Sequence, residues 1–394
     1  MDKFYRTHAY LVEHTDVPVR RELMGQIDWN HPLIGIKGTR GVGKTTFLLQ
    51  YAKEKYGTDR SCLYINMNNL YFSTHSLYDF AADFVHEGGR VLLIDQIFKH
   101  PGYAVELRMC HDRLPELKIV FTGSSVMDLE SREESPEICD IIKSYNLRGF
   151  SFREFLNLQA GTAFASCTLQ DVLEHHEEIA REVTQKVHPL KYLQDYIHHG
   201  FYPFFLEKSN FSENLLKTMN MMVEVDVLLI KQIELKYLSK IKKLLYLLTA
   251  DGPKAPNVSS LATEIETSRA TVMNYIKYLQ DARLINMVYQ EGESFPKKPV
   301  TILPHNTNLI YCIYPVRTEE QYVLDTFFVN NLWGNGNIST GDKRCSFVVD
   351  GDLRFKLCCD GARMRKDADA ICVMHNEEVG HKDRIPLWMF GFLY

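Results

Sequence analysis

Apolar and polar positions follow two rhythms along this chain, and the change between them falls near residue 160. Four short apolar runs, LIGIK at 33–37, CLYIN at 62–66, RVLLID at 90–95 and KIVFTG at 118–123, alternate with helically spaced stretches at about 44–56, 76–87 and 102–113. Runs this short and this rich in Leu, Ile and Val predict strands buried on both faces of a mostly parallel sheet, with the helices as crossovers. Pro101 and Gly102 introduce the last of those helices. The expected class is α/β, with the first domain over residues 1–160.

Beyond Phe155 the rhythm lengthens. Helical segments at 168–187 and 211–236, separated by the turn-like GFYP at 200–203, predict a helical connector over 161–238. From Ser239 to Tyr289 the order is a helix, the break DGPKAPN, a short helix from Ser259, a turn at Glu266–Ser268, a helix over Arg269–Asp281 and the apolar run LINMVY. That order predicts a winged helix-turn-helix over 239–300. The segment 301–394 returns to short strands, including SFVVDG, LRFKLC and DAICVM, and closes on IPLWMFGFLY, which predicts a second α/β domain.

Composition narrows the classes. With 45% hydrophobic and 24% charged residues the chain is neither disordered nor fibrous. Lys and Arg number 45 against 50 Asp and Glu, a formal charge of -5, which excludes a broad cationic surface for wrapping nucleic acid. No apolar run approaches the roughly 20 residues of a membrane helix, and MDKFYRTHAYLVEH lacks a signal-peptide layout, so a cytoplasmic protein without membrane contact is expected. The nine cysteines are odd in number and scattered (62, 110, 139, 167, 312, 345, 358, 359 and 372), which predicts buried thiols rather than disulfides or a zinc knuckle.

The strongest local chemistry lies between the first strand and the first predicted helix. Gly38, Gly43, Lys44 and Thr45 have the spacing Gly, four residues, Gly, Lys and Ser or Thr, in the run GTRGVGKTT. Glycines permit a tight loop whose N–H groups approach phosphate oxygens, the helix start adds its positive end, and the lysine reaches the β and γ phosphates. The residues expected to line a nucleotide are therefore Gly38, Thr39, Arg40, Gly41, Val42, Gly43, Lys44, Thr45 and Thr46. Mg²⁺ needs Thr45 and an acid at a neighbouring strand end, and Asp95 closing VLLID supplies it. Gln96 follows where a carboxylate would polarise water. A glutamine binds water but cannot take its proton, so catalysis is expected to suffer while binding survives. Gln96 is open to three readings: a deliberate substitution that traps ATP, a natural loss in an ATP-binding switch, or a variation with the base supplied elsewhere. Ser124 and Ser125, after KIVFTG, are candidates to sense a γ phosphate or simply to cap the following turn.

The order of further motifs is recognisable. GTRGVGKTT, VLLIDQIFKHPGY, IVFTGSS, GFSFREFL, GFYPFF, NVSSLATEIETSRATVMNYIKYLQDARLI and IPLWMFGFLY together resemble a bacterial family of AAA-superfamily ATPases. In that family the C-terminal half is a domain of unknown function with a winged helix and a nuclease-like fold. The resemblance implies an additional-strand P-loop ATPase module, ATP with Mg²⁺ as cofactors, and a homo-oligomeric ring with nucleotide at the subunit boundary. The winged helix would span 239–300 and a restriction-endonuclease-like domain 301–394. Three departures stand out. Family members carry Glu at the position of Gln96, paired arginines where this chain has Asp140 and Ile141, and an acid where LRFKLCCDG has Lys356. Arg132 and Arg148 are the candidate replacements for the arginines. The C-terminal domain is expected to be inactive, although Asp325, Asp350 and Asp352 are the carboxylates that could gather at a metal.

On the third helix of the predicted winged helix, Arg269, Thr271, Asn274 and Lys277 occupy the side not needed for the core, while Val272, Ile276 and Leu279 face inward. These four could meet duplex DNA, against the alternative of a winged helix used for packing or protein partners. The leading expectation is an ATP-dependent switch with slow hydrolysis; the competing one is a DNA-binding protein whose assembly ATP controls.

Overall fold

The computed structural model describes residues 1–207, 210–250, 252, 255–314, 319–342, 345–358 and 370–394. Cys359 and the end of the LRFKLCCDG run lie outside the described residues. The chain divides into two compact units, Met1–Arg148 and Gly149–Tyr394.

The first unit runs α1 (Asp2–His14), α2 (Leu23–Gln26), β1 (Leu33–Gly38), α3 (Lys44–Lys55), β2 (Cys62–Asn66), α4 (Leu77–His86), β3 (Val91–Asp95), α5 (Tyr103–Arg113), β4 (Lys118–Ser124) and β5 (Lys143–Asn146). Its five strands form one sheet in the order β2-β3-β4-β1-β5, every pair parallel. Strands β1 to β4 are buried almost throughout, as apolar runs covered on both faces must be. Strand β4 lies between β1 and β3, so the ends of three different strands meet at one edge of the sheet. Open parallel sheets place their ligands at that edge.

Two elements escaped the sequence reading. Helix α1 buries Tyr5, His8 and Val12 at helical spacing, and His8 Nδ1 accepts from the Tyr64 N–H on β2 at 3.0 Å. Strand β5, KSYN, is an edge strand with no apolar run to betray it.

The second unit runs α6 (Phe152–Ala160), α7 (Leu169–Lys186), α8 (Leu190–Asp195), α9 (Phe211–Met221), α10 (Leu228–Ile230), α11 (Leu238–Ala250), α12 (Val258–Glu264), α13 (Arg269–Asp281), β6 (Ile285–Val288), β7 (Thr301–Pro304), α14 (Thr307–Ile313), α15 (Glu320–Leu332), β8 (Ile338–Thr340), β9 (Phe347–Val349), β10 (Leu353–Cys358), β11 (Ile371–Met374) and β12 (Arg384–Pro386). Helix α6, read from sequence as part of 1–160, packs in this unit. Phe152, Phe155 and Leu156 join a core that also holds Phe328 of α15 and Trp388, Phe390 and Phe392 of the closing run. Ser151 and Glu154 start the helix with a reciprocal capping box.

The predicted helix 211–236 ends early: α9 continues through a π-helical stretch over Met222–Val227 into α10, which stops at Ile230, and Gln232 adopts a positive φ of 51°. Helices α11 to α13 are followed by the antiparallel hairpin β6–β7. The C-terminal strands form a mixed sheet, β12-β11-β10-β9-β8, antiparallel from β8 to β10 and parallel from β10 to β12. Among the described residues no helix is long and apolar enough to cross a membrane.

Candidate functional site

Strand β1 ends at Gly38 with no room for a side chain: a Cβ there would sit 2.4 Å from the Leu147 carbonyl oxygen. The chain then turns through Gly41 and Gly43 at φ of 86° and 92°, values that L side chains resist. Helix α3 starts at Lys44, whose Nζ folds back onto the carbonyls of Gly38 at 2.7 Å and Thr39 at 2.8 Å. Thr39 and Val42 are buried, Arg40 half-buried, and Thr45 and Thr46 exposed at the helix start.

Asp95, at the end of β3, is buried at 1% exposure and surrounded by donors. Its Oδ2 accepts from Thr45 Oγ1 at 2.8 Å, Tyr64 OH at 2.9 Å and Asn66 Nδ2 at 3.1 Å, and its Oδ1 from Thr122 Oγ1. Four elements, α3, β2, β3 and β4, thus converge on one carboxylate. Such bonds offset the cost of burying its charge. Burial first, and then the neighbouring Asp95 charge, push the Tyr64 phenol well up from its ordinary value, which keeps it a proton donor.

Gln96 follows in the left-handed region, φ 58° and ψ 50°, and its N–H donates to Thr122 Oγ1 at 2.8 Å. Four residues on, His100 meets Glu106 Oε1 at 2.9 Å, and Glu106 Oε2 accepts from Ser76 Oγ at 2.9 Å and the Tyr78 N–H at 2.8 Å. Burial works to raise the Glu106 carboxyl, but the bonds from His100, Tyr78 and Ser76 prevail and hold it low.

Ser124 is buried at the end of β4, where its Oγ accepts from the Val126 N–H at 3.3 Å and caps the turn; Ser125 is half-buried. Arg148 is half-buried and its carbonyl accepts from Arg21 Nη2 at 2.7 Å. Arg132 is exposed. Asp140 takes a two-pronged bond from Arg108 at 3.0 and 3.1 Å. Sequence reasoning missed Arg21, Tyr64, Asn66 and Thr122. The polar end of CLYIN and the threonine in KIVFTG were the available signals.

On α13, Arg269 and Asn274 are exposed, whereas Thr271 Oγ1 pairs with Ser268 Oγ at 2.8 Å and Lys277 Nζ with Asp281 Oδ1 at 2.6 Å. In the β6–β7 turn Lys297 is committed to Glu293 at 2.8 Å. Asp325 sits on α15 with Gln321 Nε2 at 2.7 Å, Asp350 in the β9–β10 turn accepts from the Asn337 N–H at 2.8 Å, and Asp352 is exposed. Among the described residues no group of three or more His, Cys, Asp or Glu side chains is placed to hold a metal, so these three carboxylates do not gather.

Comparison with known proteins agrees with this geometry in the first unit. Residues 30–156 match a family described as an AAA domain, and residues 190–300 match a domain of unknown function (DUF8612). The chain carries an AAA-superfamily P-loop module. It is 29% identical over 281 residues to the uncharacterized protein MJ1637 of Methanocaldococcus jannaschii, a match covering 68% of this chain and 58% of that protein. The chain therefore spans less than two thirds of that relative. Among solved structures, an Aeropyrum pernix Orc1 protein in complex with DNA is similar at a TM-score of 0.31 and 13% identity, over 80% of this chain and 92% of that one. AMPPCP-bound DnaA from Aquifex aeolicus is similar at a TM-score of 0.23 and 14% identity, over 71% and 88%.

Proposed function

We propose that the AAA module binds ATP with Mg²⁺ and acts as a nucleotide-dependent switch that hydrolyses slowly. The observation that carries this reading is the 2.8 Å bond from Thr45 to Asp95, which joins the residue after the loop lysine, at the start of α3, to an acid 50 positions away at the end of β3. A hydroxyl and a carboxylate side by side are hard oxygen donors that suit Mg²⁺. Thr45 and Asp95 would hold that ion, whose positive charge would offset that of the phosphates. Lys44, the Gly41–Gly43 turn and the start of α3 would grip the phosphates. Gln96 in place of a base supports weak turnover, slower by about a hundredfold to ten-thousandfold. ATP over GTP follows from the family resemblance. Calorimetry tests the reading: heat is expected on adding magnesium and ATP to the wild type and none with Lys44→Ala. Silence from the wild type with both ATP and GTP would falsify it.

Arg132 and Arg148 are the residues we assign to reach a neighbouring nucleotide in a ring, which size-exclusion measurements with and without ATP would reveal as growth of the particle. We read 239–300 as a winged helix and 301–394 as a nuclease-like fold without catalysis. A second reading, duplex DNA binding under ATP control, draws on the exposed Arg269 and Asn274. It predicts binding that weakens steeply as salt rises. The bonds that Lys277 and Lys297 already make to acids weigh against it.

A further inference from the structure

Beneath the phosphate loop lies a buried cation outside every motif. Arg21, just ahead of α2, is 7% exposed, and its guanidinium donates through Nη1 to the Val42 carbonyl at 3.2 Å and through Nη2 to the Arg148 carbonyl at 2.7 Å. The underside of the loop is closed by the same segment. Leu147 donates its N–H to the Lys37 carbonyl at 2.8 Å, and its own oxygen presses on Gly38.

Peptide planarity gives these bonds a direction. In a trans peptide the carbonyl of one residue and the N–H of the next point opposite ways. Drawing the Val42 oxygen inward therefore aims the Gly43 N–H outward, at the start of α3 where phosphate oxygens would lie. Drawing the Arg148 oxygen inward fixes in the same way the peptide to Gly149, the first residue of the second unit. A planar guanidinium holds its two acceptors through two nitrogens at fixed directions and separation, whereas a lysine offers a single rotatable ammonium.

We propose that Arg21 is a positioning residue of the phosphate site, setting the Val42–Gly43 peptide and tying it to the Arg148–Gly149 peptide. Filling of the loop and the state of the link to the second unit are then read by one side chain. This rests on the nucleotide reading above.

The test uses the full chain as wild type, Arg21→Gln and Arg21→Lys, with a fluorescent ATP analogue for affinity and hydrogen exchange for the link. Without nucleotide, Arg21→Gln should exchange faster at Leu147 and Gly149 than wild type while the β3 amides stay unchanged. With nucleotide, affinity should fall about tenfold to a hundredfold, the worth of one well-aimed bond to a charged group. At saturating nucleotide the wild type should change its exchange at Leu147–Gly149, and Arg21→Lys should bind without that change. Wild-type affinity together with a wild-type response at the link in both variants overturns the proposal. If the wild type binds no nucleotide, the functional reading fails instead, and the nucleotide-free exchange still decides about Arg21: unchanged rates at Leu147 and Gly149 in Arg21→Gln defeat it. Should Arg21→Gln fail to fold, Arg21→Lys carries both measurements.

Discussion

Thr122 offers the sharpest test of how the acid centre is built. Its hydroxyl gives its proton to Asp95 Oδ1 and takes the Gln96 N–H at 2.8 Å, at a side chain with 0% exposure. Thr122→Val keeps the shape and removes both bonds. Losing a bond to a buried carboxylate costs about 1.5–3 kcal/mol and losing the backbone one about 0.5–1.5 kcal/mol. The methyl that replaces the hydroxyl returns less than about 1 kcal/mol, so the net loss is about 1–4.5 kcal/mol. Thr122→Ser keeps the bonds and forfeits one methyl, about 1 kcal/mol. The ordering, valine worse than serine, is the signature of a polar role, since a packing role predicts the reverse. Because the chain has two units, the measurement is hydrogen exchange at the β3 and β4 amides rather than a single global melt. Thr122→Val should also weaken nucleotide binding, because Asp95 loses one of its four donors and the Gln96 N–H loses its acceptor. A valine variant as stable as the serine one, with unchanged affinity, would refute the reasoning.

Three other outcomes are expected. Gln96→Glu should speed phosphate release about a hundredfold or more if the base is what is missing, with equal release in the two proteins counting against that account. Gly38→Ala places a Cβ 2.4 Å from a backbone oxygen and should cost about 1–3 kcal/mol of overpacking, seen as faster exchange across β1 and β5 and as lost nucleotide binding. Burial pushes the Asp325 carboxyl from 3.8 up to about 6, against the Gln321 bond and the Lys356 charge. A raised acid favours the fold fully below its unfolded value and less as pH rises through the folded one. Asp325→Asn should therefore match wild type at pH 4 and be more stable at pH 8 by up to about 3 kcal/mol, read from exchange in α15.

What was legible in the sequence was what is local. The phosphate loop is a run of eight residues, GTRGVGKT, whose glycine and lysine spacing is itself the geometry, and VLLID announces Asp95 by ending a buried strand. The four donors around Asp95 are different in kind. Tyr64 and Asn66 matter because β2 lies beside β3, and Thr122 because β4 lies between β3 and β1, facts that belong to the strand order. Arg21 bonds to a carbonyl 127 residues away, and no periodicity reports such a partner. Helix α6 is similar: its capping box gives its start, but only the core shows what Phe152 packs against.

The way the acid centre is held bears on why a glutamine serves there. Thr45, Tyr64, Asn66 and Thr122 all spend their donors on Asp95, while Gln96 is anchored through its backbone N–H. A glutamate at 96 would set a second carboxylate beside a buried one, and like charges so placed resist joint ionisation. It would also stand close to the phosphates of a nucleotide that already carries several negative charges. The neutral amide removes that repulsion at the moment it removes the base. On the proposed reading, grip and turnover pull against each other at this residue, and a neutral Gln96 would favour occupancy over turnover. On that view Gln96→Glu should loosen ATP while it speeds release of phosphate; a variant that binds tighter and turns over faster would show that the repulsion is not what the glutamine relieves.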